Sequence, residues 1–190
     1  MGILGINKLI SDYLFTAVLD IGCGLGQHKK IFEDNGKQVT AIDLWSKAKD
    51  VITMNYMDWF SNIQFDCIWC CHVLEHQLNI NSFLKKIHRE LKEGGVLAIT
   101  VPPMKPQIVG GHVSIWNAGL VLYNLVLAGF DCTKPVIKTY NYNISVIVEK
   151  KTIELPKNLK YDNGDLEKLS MFFPSFMKQN FNGNIQEYGW

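Results

Sequence analysis

The stretch from Val18 to His28, VLDIGCGLGQH, constrains this chain more than any other. A short run of strand-forming residues ends in three glycines at alternate positions, Gly22, Gly24 and Gly26. Glycine accepts backbone conformations that side chains forbid, and it lets another molecule lie against the bare main chain. Three of them directly after a strand, with a helix-like segment beginning at Gln27, describe a turn built for close approach. In an open parallel sheet that turn sits where ligands bind, beyond the carboxyl end of the first strand.

The remaining pattern agrees with such a sheet. Short β-rich runs alternate with helical ones, as βαβ units require. The spacing predicts strands over 17–21, 37–43, 50–55, 65–71 and 95–102, and a final pair over 132–140 and 144–151. Helices are expected over 27–34 and 81–91. A third is expected from a Ser114 cap to Ala128, closed by Gly129, and the N-terminal residues read as a short amphipathic helix. In the second of these, Phe83, Leu84, Ile87 and Leu91 share one face, while Lys85, Lys86, Arg89 and Lys92 are expected to cover the rest. His28 and His88 also fall on helices, with His88 expected at the surface. Residues from about 153 onward lose this periodicity and carry scattered aromatics. Residues 1–152 are therefore expected to form the domain, with 153–190 an extension packed on it.

Composition narrows the partners. The 190 residues carry a formal net charge of +1 and no basic run, so no nucleic-acid footprint is expected. No apolar run approaches the length of a membrane span. The N-terminus lacks the arrangement of a secretory signal, and Ile6 stands where an N-myristoylation motif wants Ser or Thr. Five cysteines, an odd number set mostly in apolar segments, suit reduced thiols and a cytoplasmic protein. The sequon at Asn143 is then accidental.

The glycines do not follow the dinucleotide fingerprint, G-x-G-x-x-G, because Gln27 occupies its third position. The pattern is D-x-G-x-G-x-G, with Asp20 two residues before Gly22. It resembles the first motif of class I S-adenosylmethionine-dependent methyltransferases. Further segments are similar to that family in the expected order: Asp43 closing "VTAID", Asp58 in "NYMDWF", then "FDCIWCCHVLEH" and "LKEGGVLAITVPP". The resemblance spans most of residues 15–150. It implies a Rossmann-like α/β fold, doubly wound, with a mostly parallel seven-stranded sheet whose β7 is antiparallel. It also implies S-adenosylmethionine as cofactor and S-adenosylhomocysteine as product. By the same resemblance, Asp20 receives the cofactor's amino group, directly or through water, and Gly22, Cys23, Gly24 and Gly26 form its cradle. Asp43 accepts from the ribose hydroxyls, Asp58 from the adenine amino group, and Leu44 and Trp59 wall the ring. Cys71, ending the fourth strand, belongs to the same set.

Methyl transfer needs in-line alignment above all, and a base where the acceptor is a hydroxyl. His72, Glu75, His76 and His112 are the candidates. "VLEH" recurs in the family, which leaves Glu75 and His76 as scaffold or catalyst alike. His112, in "GGHVSIWN", is similar to a His-x-x-aromatic stretch that relatives place beside the acceptor pocket, although the aromatic here, Trp116, comes one residue later; it is a base, a substrate ligand or a loop histidine. No metal is expected: Cys67, Cys70, Cys71, His72 and His76 offer thiols and imidazoles close together in sequence, but Cys70 and Cys71 must point to opposite faces of a strand.

The expected activity is methyl transfer to a small molecule by a monomer or homodimer. Segments near the C-terminus resemble small methyltransferases associated with surface-glycan biosynthesis, which suggests a sugar, nucleotide-sugar or glycan hydroxyl. A non-catalytic module of the same fold, binding cofactor or a protein, is the alternative, and a nucleotide-linked oxidoreductase stands third.

Overall fold

A computed structural model describes residues 1–190. The chain runs α1 (Ile3–Asp12), β1 (Ala17–Ile21), α2 (Gln27–Asp34), β2 (Gln38–Asp43), β3 (Ile52–Thr53), β4 (Phe65–Cys71), α3 (Ile80–Glu90), β5 (Leu91–Val101), α4 (Ala118–Leu127), β6 (Val136–Tyr140), β7 (Asn143–Glu149), α5 (Asp165–Lys168) and β8 (Glu187–Tyr188). All eight strands join one sheet in the order β3-β2-β1-β4-β5-β7-β6-β8. The pairings of β1 with β2 and β4 and of β4 with β5 are parallel, whereas β7 runs antiparallel to both β5 and β6. The order reverses beside β1, so a crevice opens past the carboxyl ends of β1 and β4.

Alternation along the central strands produces two cores. Leu19, Ile21, Ile68 and Cys70 face one side and pack with Phe83, Leu84 and Ile87 of α3 and Val121, Leu122 and Leu125 of α4. Val18, Cys67, Trp69 and Cys71 face the other, where Ile6 and Leu9 of α1 and Phe32 of α2 cover them. Trp69 is fully buried, and its indole N–H donates to His28 Nδ1 at 3.1 Å. That fixes the proton of His28 on Nε2, which donates to the Met1 carbonyl at 2.8 Å. Asp66 ties the strand starts together by accepting from the N–H groups of Thr16 and Ala17 while pairing with Lys92 at 2.6 Å. All five cysteines are free and buried.

Several expectations need correction. The sheet has an eighth strand, because the extension returns to pair β8 with β6. Leu169, Phe173, Met177 and Ile185 of the same extension enter the larger core. The helix expected to be capped by Ser114 begins at Ala118, and Asn117 Oδ1 caps it by accepting from Leu120 N–H at 2.8 Å. Trp116 bridges to Pro103 as extended chain, which keeps residues 114–116 out of the helix. Lys86 is buried rather than solvated. Its ammonium pairs with Glu90 at 2.6 Å and lies 4.7 Å from the Tyr56 ring centroid. His88 is not a free surface residue either: its ring packs edge-on against Phe130 with centroids 4.7 Å apart.

Candidate active site

The glycine turn is held from β2. The Gly22 N–H donates to the Ile42 carbonyl at 2.8 Å, and the Gly24 N–H donates to Asp43 Oδ2 at 2.9 Å. Asp43 Oδ1 accepts from Trp45 N–H at 2.8 Å, and the Ser46 hydroxyl donates to the Gly24 carbonyl at 2.7 Å. Gly22 and Gly24 have φ of 73° and 54°, a region side chains disfavour. Their reasons for lacking a side chain differ. A Cβ at Gly22 would overlap Val73, whereas one at Gly24 would meet nothing within 4 Å. The bare backbone at Gly24 therefore faces open space.

Beside the turn, at the reversal of strand order, lies a cleft of about 400 Å³ lined by Gly22, Asp43, Leu44, Tyr56, His72 and His76 among others; Gly24 is next to this lining and not part of it. Asp20, just before the turn, is 1 % exposed and outside the cleft lining, and its Oδ2 has no hydrogen-bond partner. Burial raises its carboxyl to about 7; the Lys29 backbone counters, and the Asp43 charge adds to the rise. Cys23 is buried in the turn, its thiol pushed up to about 12 by burial and by the Asp20 and Asp43 charges, so it is no nucleophile.

Other expected positions fall elsewhere. Asp58 is exposed and outside the cleft lining; Met54, Asn55 and Tyr56 form that wall instead. Trp59 turns inward to pack beside Tyr56 and Phe65. Cys71 lies under α1, where a Cβ on Gly2 would sit 2.7 Å from its sulfur. Trp45, 81 % exposed at the cleft rim beside Leu44, was not anticipated. Two exposed apolar side chains directly after the Asp43 carboxylate were the available signal.

An adenosyl sulfonium fits these residues. The unpartnered Asp20 oxygen suits a cationic amino group, the Asp43 carboxylate at the end of β2 suits a vicinal diol, and Leu44 and Trp45 offer apolar surface to a ring. No protein atom beyond the adjoining residues stands within 4 Å of where a Gly24 side chain would begin, so the bare backbone there is open to approach.

A second cleft of about 300 Å³ opens beyond the first and is lined by Pro102, Lys105, His112, Trp116 and Tyr142 among others. His76 and His112 stand between the two, with ring centroids 5.0 Å apart and edges facing. Backbone pairing brings them together: the Val113 N–H donates to the Glu75 carbonyl at 2.9 Å. His76 Nδ1 lies 2.7 Å from the Gly111 carbonyl, so it carries the proton and donates, leaving Nε2 with a lone pair. His72 has φ of 55°, a strained left-handed conformation for a side-chain-bearing residue. Its Nε2 is 3.0 Å from Asn143 Oδ1, and its Nδ1 is 3.2 Å from Glu75 Oε1. Burial opposes its charged form, yet the interactions with Glu75 and Asn143 outweigh burial and raise its affinity for a proton. Glu75 is fully buried, and neither carboxylate oxygen has an aligned hydrogen-bond partner. A further cleft of about 400 Å³, between α4 and the extension, includes neither the glycine turn nor these histidines.

Residues 19–99 match a family model described as a methyltransferase domain. Among curated relatives, the chain is 30 % identical over 97 residues to a malonyl-[acyl-carrier protein] O-methyltransferase of Enterobacter lignolyticus, covering 45 % of this chain and 39 % of that one. It is 26 % identical over 141 residues to a ubiquinone biosynthesis O-methyltransferase of Idiomarina loihiensis, covering 65 % and 55 %. The chain thus spans about half the length of these relatives or less. Among solved structures, the 1,6-didemethyltoxoflavin-N1-methyltransferase of Burkholderia thailandensis, with bound 1,6-didemethyltoxoflavin and S-adenosylhomocysteine, aligns with a TM-score of 0.62. Its identity is 19 %, over 72 % of this chain and 71 % of that one. The N-methyltransferase NodS of Bradyrhizobium japonicum, in complex with S-adenosyl-L-homocysteine, aligns with a TM-score of 0.62 at 16 % identity, over 77 % and 84 %. At these identities the structural likeness is one of fold.

Proposed function

We propose that this chain is a class I S-adenosylmethionine-dependent methyltransferase that moves the methyl group of that cofactor to a hydroxyl oxygen of a small molecule. One observation carries the reading. His76 lines the cleft beside Gly22 and Asp43, His112 lines a second cleft, and the two rings stand with centroids 5.0 Å apart. A donor site and an acceptor site must meet in this way for in-line transfer.

When bound, the cofactor supplies a methyl group on a cationic sulfur that leaves as a neutral thioether. The protein's task is then to align, to exclude water and to accept one proton. Asp43 holds the ribose and Asp20 the amino group, while the glycine turn gives the room. Leu44 and Trp45 cover the ring from the rim. On the acceptor side, His72, His76 and His112 are placed to orient a hydroxyl and to take its proton, directly or through Glu75. An imidazole is suited to this near neutral pH.

Oxygen is favoured because the two curated relatives described above are named O-methyltransferases. The acceptor class to test first is a sugar or glycan hydroxyl, followed by phenols. A structure of similar fold, at 14 % identity and a TM-score of 0.62, is a sugar N-methyltransferase from a Streptoalloteichus species. We assign residues 1–152 to the catalytic domain and 153–190 to an extension of it. No helix is long and apolar enough to cross a membrane.

The test is incubation with methyl-labelled cofactor and a panel of sugars, nucleotide-sugars and phenols, followed by product mass. One added methylene unit, on oxygen, is the expected result. Tight cofactor binding with no transfer to any acceptor would instead establish a binding module.

A further inference from the structure

We propose that Glu75, His76 and His112 form a binding site for a divalent transition-metal ion, with zinc the reference ion. One ligand atom from each of the three residues can be chosen so that all lie within 4.8 Å of one another. Two imidazoles and one carboxylate are a donor set that holds zinc with a coordination position left open. An ion bonded at about 2.1 Å needs neighbouring ligand atoms roughly 3.4 Å apart. Glu75 Oε1 and His76 Nε2 are already 3.9 Å apart. A small rotation of the partly exposed His76 and His112 rings closes the remainder.

Three further features belong to a ligand set rather than to a chance cluster. Glu75 is fully buried; His72 Nδ1 stands 3.2 Å from its Oε1 without aligned hydrogen-bond geometry, and Oε2 has no partner. A buried carboxylate so incompletely paired is costly unless a further positive charge completes it. His76 donates its Nδ1 proton to the Gly111 carbonyl, and that arrangement presents the neutral Nε2 lone pair in the way ligating histidines are oriented by a backbone acceptor. Residue 111 is glycine at this approach; a Cβ there would come within 3.1 Å of His76 Nδ1. Finally, the Val113 to Glu75 backbone bond anchors the His112 loop to the turn that carries the other two ligands.

His76 lines one cleft and His112 the other, so an ion held between them stands beside both. There the ion would act as a Lewis acid on the acceptor oxygen: the hydroxyl would lose its proton to water, and the oxyanion would bond to the methyl carbon as the carbon–sulfur bond breaks and a neutral thioether leaves. That role rests on the proposed function, whereas binding of the ion does not.

Two measurements separate them. Zinc binding to the protein, first stripped with chelator, is followed by equilibrium dialysis, and cobalt is used as a visible-absorption reporter of nitrogen and oxygen ligation. One ion per chain is expected. Glu75→Gln and His112→Ala should each weaken binding at least 100-fold while leaving cofactor affinity within about threefold, which also reports that the variants fold. Absence of stoichiometric binding, or unchanged affinity in both variants, would overturn the site. Stoichiometric, ligand-dependent binding with no methyl transfer to any acceptor would leave the site standing and remove the proposed function. Full transfer by the stripped protein would overturn the ion's catalytic role.

Discussion

Asp43 Oδ2 accepts the Gly24 N–H at 2.9 Å, so the carboxylate that lines the cleft also sets the shape of the turn beside it. Its other oxygen holds the Trp45 N–H at 2.8 Å, which fixes the start of the apolar rim. One side chain therefore ties the glycine turn, the end of β2 and the apolar rim together.

Asp43→Ala should weaken S-adenosylmethionine binding by at least about tenfold, because it removes the ribose acceptors and frees the turn together. Asp43→Asn keeps one acceptor oxygen and should lose less. Calorimetric titration of the two variants checks the order, and equal affinities in wild type and Asp43→Ala would remove this residue from the site.

Gly22 and Gly24 should fail differently when each is replaced by alanine. Gly22→Ala drives a methyl group into Val73 at a positive φ, so it should cost at least about 2 kcal/mol of stability. Gly24→Ala meets no protein atom, so its stability loss should stay near the 1–2 kcal/mol of the strained backbone alone. Its cofactor affinity should nevertheless fall by more than tenfold. Urea unfolding and calorimetry on the pair separate a packing glycine from a cradle glycine.

Asp20 predicts a pH dependence. Its carboxyl lies at about 7 in the folded protein because of burial, against an ordinary 3.8. The folded protein keeps a proton that the unfolded chain has released, so stability from this group is complete below about pH 4 and is lost as pH rises towards about 7. A cationic amino group placed against Asp20 favours the ionised form. Cofactor binding should therefore release a proton near neutral pH and tighten between about pH 5 and about pH 7. Calorimetry in buffers of different ionisation enthalpy measures the released proton, which Asp20→Asn should abolish.

The Lys86–Glu90 pair supports the cleft wall from behind, since Glu90 also accepts from the Tyr56 hydroxyl at 2.7 Å. Lys86→Met leaves a buried carboxylate without its counter-charge and should cost about 3 kcal/mol. Lys86→Met with Glu90→Gln removes both charges while preserving an acceptor for Tyr56, and should recover part of that loss. Urea unfolding with unchanged denaturant dependence is the readout.

Local chemistry made much of this architecture readable beforehand. Strand alternation separates Cys70 from Cys71 across the sheet, and the D-x-G-x-G-x-G spacing locates the turn and its neighbour Asp43. What escaped depended on contacts between distant segments. Lys86 resembles any exposed helix lysine until Glu90 and the Tyr56 ring surround it. Ser114 is a sound cap by type, but the bridge from Trp116 to Pro103 moves the helix start to Asn117. Asp58 has suitable chemistry, yet the short turn at 56–58 presents Tyr56 to the cleft in its place. Glu75, His76 and His112 meet only because residues 111–113 dock on the turn after β4, a pairing that no periodicity announces.

Both outer members of the sheet, β3 and β8, are only two residues long, and Glu187 in β8 carries a charge paired with Lys138. A neighbouring chain seeking to continue the ladder would find too few open amide groups on either flank to act as a template. Stacking into fibrils through strand addition is discouraged at both borders.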